Sequence, residues 1–280
     1  MNFIQLEFEL PDKLHEQFIA ELMDQDFYGF EQLDNKLIAF IESPRYNDIT
    51  REFIEQMISL FPNVSFREVE SIEEKNWNEV WEQTIQPQRV GNFLVKPTWS
   101  NEKAKMSEIL LEIDPKMAFG TGYHETTRLM LRQFSMLDFA DKVVMDAGTG
   151  TGILAIASIK SGASRAVGFD VDPWSDVNAR ENSIINQVNE KVDIRFGGAE
   201  VIKENELFDI TLANINRNVI LDLIPFFVNK TKINGTLLLT GLLERDESMI
   251  RDKLKDEPVD VLDLRHDGEW ILFQLKKYGE

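Results

Sequence analysis

Hydrophobic positions near the start of the chain switch back and forth between strand and helix spacing. Phe3 to Glu9 is apolar-rich and strand-like, and Pro11-Asp12 then opens a helical pattern at Leu14, Phe18, Ile19 and Leu22. Tyr28 to Leu33 and Leu37 to Ile41 predict two short strands joined by the turn pair Asp34-Asn35. Ile49, Phe53, Ile54, Met57, Ile58 and Phe61 return to helical spacing, and Val64 to Val69 alternates as a strand does. The order β-α-β-β-α-β predicts a small ferredoxin-like α+β domain over residues 1–70. Its aromatic residues are expected in the core, because large rings dominate the burial of small domains.

Residues 71–100 read as a linker punctuated by Pro87 and Pro97. Within it, Glu73 to Trp81 has helical character, and Trp77 and Trp81 share one face, suited to docking on a domain within a hinge segment. Beyond about Ser107 the pattern changes. Ile109 to Ile113 is a strand, and apolar strands at 142–146, 166–170, 192–196, 208–213, 235–240, 259–264 and 270–275 alternate with helical stretches. Such alternation predicts an α/β domain over 101–280, a doubly wound, mostly parallel sheet with helices on both faces. Asp267-Gly268 marks a hairpin between the last two strands.

The chemistry concentrates at strand ends. Asp146-Ala147-Gly148-Thr149-Gly150-Thr151-Gly152 follows one apolar strand and opens the helical run Ile153 to Ile159. Glycines let backbone approach a ligand closely, and the helix behind them turns its free N–H groups toward the loop. Asp170 ends the next strand, where a carboxylate can accept from two ribose hydroxyls. Dinucleotides favour G-x-G-x-x-G, whereas here the third glycine comes one place early and Ile153 takes its position. An acidic residue before G-x-G-x-G is instead the pattern of S-adenosylmethionine (AdoMet) methyltransferases. Asp146 is then a candidate acceptor for the methionine ammonium, directly or through water. Gly148, Gly150 and Asp170 are candidate cofactor-binding residues. Asn214, at the end of the run from Phe208, joins them on the ligand-binding edge of the sheet.

Two further blocks narrow the reading. Asp114-Pro115-Lys116-Met117-Ala118-Phe119-Gly120-Thr121-Gly122-Tyr123-His124-Glu125-Thr126-Thr127 lies upstream, and Ala213-Asn214-Ile215 downstream. With the glycine loop they resemble the ribosomal protein methyltransferases that modify the stalk-base protein, number eleven, of the large subunit. The resemblance extends over most of the chain, including Trp77 to Trp81 and Val95 to Trp99. Lys116, Glu125 and Thr151 depart from the usual Gly, Pro and Ser. The resemblance implies an AdoMet-dependent enzyme that methylates lysine side chains, with the N-terminal amine a second acceptor of the same chemistry. It further implies cofactor contacts from Thr127 and Asn214, a loop at Phe119 to Thr121 over the cofactor, and substrate recognition by the N-terminal domain. Methyl transfer needs an uncharged amine held in line with the donor. The Asn214 side-chain oxygen suits that task, which makes it the candidate catalytic residue. His124 reads as a structural loop histidine. The alternatives are a methyltransferase of another protein or a small molecule, or an AdoMet-binding module without catalysis.

Composition sets bounds on these readings. The 280 residues contain no cysteine, which excludes disulfides and thiolate chemistry, and three scattered histidines leave no basis for a metal site. No apolar run reaches membrane-spanning length and no signal-peptide pattern opens the chain, so a cytoplasmic location is expected. The net charge of −19 argues against direct nucleic-acid binding and suits a basic ribosomal protein as partner.

Overall fold

The computed structural model describes residues 3–23, 25–27, 29–61, 64–72, 85–116, 120 and 122–279. They fall into two compact units, residues 1–81 and 82–280.

In the first unit, β1 (Phe3–Glu9), β2 (Gly29–Leu33), β3 (Lys36–Glu42) and β4 (Ser65–Ile72) form one sheet in the order β2-β3-β1-β4. Every neighbouring pair is antiparallel. Asn35 takes a left-handed conformation in the β2–β3 turn, the role for which the Asp-Asn pair is suited. Two helices, α1 (His15–Met23) and α2 (Asp48–Ser59), supply the apolar cover. Asn47 starts α2 by accepting from the Ile49 and Thr50 amides. Leu6, Phe8, Phe18, Leu22, Ile41 and Ile54 are buried together, so the helical and strand spacings meet in one core.

The second unit is built on a seven-stranded sheet. Its strands are β8 (Val143–Ala147), β9 (Arg165–Asp170), β10 (Val192–Phe196), β11 (Phe208–Asn214), β12 (Thr231–Leu243), β13 (Val259–Asp267) and β14 (Trp270–Lys277), in the order β10-β9-β8-β11-β12-β14-β13. The first five strands in that order are parallel, and the last two pairings are antiparallel. Alternate residues serve opposite faces. Val144, Ala166, Leu212 and Leu238 join the core beneath α3 (Glu125–Phe134), α4 (Ile153–Lys160) and α5 (Pro173–Ile185). Met145, Val167, Ala213 and Leu237 join the core beneath α6 (Arg217–Lys230) and α7 (Glu247–Leu254). Burial on both faces explains why these strands read as continuous apolar runs.

Two expectations change. Within the expected linker 71–100, β5 (Gln88–Val90) and β6 (Phe93–Lys96) are strands, and they join β7 (Ile109–Glu112) in a separate three-stranded sheet. Val90, Phe93 and Val95 are buried in the same core as α3 and α4, so this stretch belongs to the second unit. The run Ile109 to Ile113 therefore pairs with β6 and lies outside the main sheet. The helix expected around Trp77 and Trp81 lies outside the described residues. Among the described residues, no helix is long and apolar enough to cross a membrane.

Candidate functional site

Leaving β8, the chain runs to β9 on one side, while β11 lies on the other. This is the switch point at which an open α/β sheet leaves a crevice beyond its carboxyl ends. The glycine loop fills its floor. Its amides fold back on β9, with Gly148 N and Thr149 N donating to the Phe169 carbonyl at 2.9 and 3.1 Å. Gly150 N donates to Asp170 Oδ2 at 2.9 Å, and Asp172 N donates to Asp170 Oδ1 at 3.0 Å. The Asp170 carboxylate is thus held at both oxygens, and each oxygen keeps acceptor capacity for a further donor. Asp172 carries the capping duty for α5, accepting from Trp174 and Ser175 with Pro173 in the first turn, which leaves Asp170 to the crevice.

Asp146 has a task within the loop that the sequence did not show. It is fully buried. Its Oδ2 accepts from the Thr149 hydroxyl at 2.7 Å and the Ala155 amide at 3.1 Å, tying the loop to the first turn of α4. Burial pushes its carboxyl up to about 6 against those two hydrogen bonds, and the nearby Asp170 charge adds to the rise. Asp146 organises the loop from behind, and its Oδ1 is buried with no hydrogen-bond partner among the described residues.

The crevice has a volume of about 460 Å³. Gly148, Gly150, Asp170 and Asn214 supply its polar rim, while Phe169, Val171, Ile215, Val219 and Leu223 supply apolar wall. A mostly apolar concavity with a few convergent polar groups is the usual form of a small-molecule site. Asn214 ends β11, paired with Thr240, and its Nδ2 donates to Thr127 Oγ1 at 3.4 Å. With the amide placed this way, Asn214 Oδ1 remains an acceptor. Thr127 is buried in α3 and reaches the site through Asn214, not as part of the wall. The structure therefore brings Gly148, Gly150, Asp170 and Asn214 to one cavity, with Thr127 behind them. Phe119 and Thr121 lie outside the described residues.

Several wall residues gave no local signal. Ile215 is clamped between two glycines. A Cβ at Gly148 would lie 2.1 Å from Ile215 Cγ2, and one at Gly241 would lie 2.0 Å from the Ile215 carbonyl oxygen. Both glycines have positive φ, so side chains there meet conformational strain as well as a clash. Gly241 sits within β12 where the β12–β14 register slips, just after the apolar run 235–240 read from the sequence. That a glycine follows this run was visible in the sequence, but its contact with Ile215 was not. Trp270 enters the wall from the start of β14, edge-on to His124 at 4.7 Å between ring centroids. Arg128 fixes this meeting by bonding Asp267 at the hairpin end, at 3.1 Å. The Asp267 carboxyl is held below the usual range, chiefly by Arg128. His124 caps α3 through Nδ1, which accepts from the Thr126 amide at 3.3 Å, and it also lines the crevice.

The sequence pattern of the family described as ribosomal protein L11 methyltransferase matches residues 7–278. A ribosomal protein L11 methyltransferase of Chlorobaculum parvum is 36% identical over 275 residues, covering 96% of this chain and 95% of its own. Its counterpart in Chlorobaculum tepidum is 36% identical over 278 residues, with the same coverage of 96% and 95%. The crystal structure of a ribosomal protein L11 methylase from Lactobacillus delbrueckii subsp. bulgaricus superposes with a TM-score of 0.65 at 24% identity, covering 70% of this chain and 100% of that one. At that identity the likeness speaks for the fold alone.

Proposed function

The chain belongs to the ribosomal protein L11 methyltransferase family, and from that premise we propose that it transfers methyl groups from AdoMet to lysine side-chain amines of ribosomal protein L11. It is an AdoMet-dependent protein methyltransferase. The observation that carries the site assignment is the Asp170 carboxylate, fixed by the Gly150 and Asp172 amides at the rim of an apolar crevice.

The residues present fit this cofactor. Asp170 offers two oxygens to a ribose, the glycine loop offers close-lying backbone, and Phe169, Val171 and Leu223 offer apolar surface to a purine. AdoMet supplies an already activated methyl group on a sulfonium, so the chain is left with binding and alignment. An attacking lysine must present its lone pair, and a crevice with apolar walls lowers the cost of the uncharged amine. Asn214 Oδ1 accepts a hydrogen bond from that amine and turns its lone pair along the line of transfer. As transfer proceeds the nitrogen gains positive charge, and the same amide oxygen binds it more strongly.

The N-terminal unit is assigned as a ferredoxin-like domain that recognises the ribosomal substrate, with residues 1–70 as its extent. Its β2-β3-β1-β4 antiparallel order with two helices supports that reading. A ribosomal substrate supports a cytoplasmic location, and the net charge of −19 supports a basic protein partner over direct nucleic-acid binding.

Titration calorimetry tests the cofactor assignment. Wild-type protein is expected to bind AdoMet, and Asp170→Ala to lose about 1.5–3 kcal/mol, roughly tenfold to a hundredfold in Kd. Binding of NADH without binding of AdoMet would refute it.

A further inference from the structure

Asn178 and Asn182 of α5 and Asn186, which caps its carboxyl end, lie one turn apart and are all buried. Their amides receive the chain that leaves β7. Asn186 accepts from Glu112 N at 3.1 Å and donates to Glu112 O at 2.6 Å. Asn182 Oδ1 accepts from Asp114 N at 3.0 Å, and Asn178 Nδ2 donates to Asp114 O at 2.8 Å. The side chains thus take the place of a neighbouring strand for this stretch. Asn182 has a second attachment, because its Nδ2 donates to the Thr151 carbonyl in the glycine loop at 2.9 Å. Thr151 is fully buried, and its hydroxyl donates to the Gly120 carbonyl at 2.6 Å.

Thr151 therefore joins two loops. It follows Gly150, whose amide holds Asp170, and it grips the stretch after β7 directly at Gly120 and through Asn182 at Asp114. Neither Thr151 nor Asn182 lines the crevice. We propose that the Thr151 hydroxyl and the Asn182 amide are positioning groups that couple cofactor occupancy at the glycine loop to the anchoring of the chain at Asp114 and Gly120. The coupling rests on the AdoMet reading of the site. A ligand held by Asp170 and the Gly150 backbone fixes the Thr151 peptide, and through it both anchors. The anchored chain continues through Tyr123 to His124 and the start of α3, so its register bears on the crevice wall.

The test compares full-length wild type, Thr151→Ser and Thr151→Val by hydrogen exchange with and without S-adenosylhomocysteine, and by steady-state kinetics. Valine keeps the shape of threonine and removes the hydroxyl, while serine keeps the hydroxyl. In wild type and the serine variant, ligand is expected to slow exchange in peptides spanning 112–116 and 120–124. In the valine variant that slowing is lost and the KM for AdoMet rises by about three- to tenfold, the worth of one buried hydrogen bond. Full ligand protection and an unchanged KM in Thr151→Val, with only a lowered Tm, would overturn the coupling and leave the hydroxyl a folding contact. If the valine variant does not fold, Asn182→Ala removes the bonds that join the Asp114 amide to the Thr151 carbonyl and leaves the Thr151 hydroxyl in place. Reduced ligand protection at 112–116 then supports the coupling, and unchanged protection overturns it. Wild type that binds no S-adenosylhomocysteine in calorimetry overturns the cofactor reading itself, and the coupling with it.

Discussion

Asn214 is the residue on which binding and catalysis are hardest to separate. It lines the crevice, ends β11 and bonds Thr127, all of which a pocket-shaping residue would also do. Its catalytic role requires that its oxygen bind the nitrogen more tightly as charge develops there. Asn214→Ala is accordingly expected to lower kcat about 10–1,000-fold even at saturating AdoMet and protein substrate. Steady-state kinetics that return near-wild-type turnover at saturation would leave Asn214 a binding residue. At this scale the sequence revealed most where the signal is local. A polar residue closing an apolar strand, as at Asp170 and Asn214, announces itself. The rule says less at Asp146, because a strand-end carboxylate can serve the ligand or its own loop, and here one oxygen is taken by the loop. Only the positions of Thr149 and Ala155 show this. Ile215 between Gly148 and Gly241 was out of reach for a related reason, since its neighbours come from different strands.

Elements were legible wherever both a period and a stop signal existed. Strands of the main sheet, buried on both faces, stood out as apolar runs, and Asp267-Gly268 marked the β13–β14 hairpin. β5 and β6 were missed because strands of three and four residues carry too few alternations to show a period, and nearby prolines suggested a linker. The β9–β10 edge of the sheet carries an ion-pair network of its own, which tests whether stability and binding separate. Arg165 at the start of β9, with Asp193 and Arg195 of β10, forms a network with Glu206, bonded to Arg195 at 2.7 Å. The Arg195 guanidinium holds the Glu206 carboxyl down at about 2. A depressed carboxyl stabilises the fold above its ordinary value of 4.5, and that contribution is lost as pH falls toward 2. Glu206→Gln is therefore expected to cost on the order of 2 kcal/mol at pH 7 in urea unfolding, with the gap to wild type closing below about pH 4. The KM for AdoMet should not change, because Glu206 and its partners Arg165, Asp193 and Arg195 do not line the crevice. A pH-independent gap would show that lost packing, and not the ion pair, sets the cost.

For the whole molecule the question is where recognition ends and chemistry begins. The sequence placed a boundary near residue 100, whereas the compact units divide at 81/82. The difference has a consequence for truncation. A fragment starting at Ser100 lacks Val90, Phe93 and Val95, which pack in the core with α3 and α4. Buried apolar side chains of this size contribute about 1.5–3 kcal/mol each, so three of them approach the whole stability margin of a typical domain. Such a fragment is expected to fold poorly, and its failure to bind AdoMet would say nothing about the N-terminal unit. The fragment 82–280 keeps that core, the glycine loop, Asp170 and Asn214. It is expected to bind AdoMet with wild-type affinity in calorimetry and to methylate intact ribosomal protein L11 with a kcat/KM lowered at least about tenfold, the loss of 1.4 kcal/mol or more of binding from the missing unit. A short lysine peptide that reaches only the crevice should be used equally well by fragment and full chain, since nothing in the reaction centre has been removed. Equal activity of fragment and full chain on the intact protein would place recognition within residues 82–280 and strip the N-terminal unit of its assigned role.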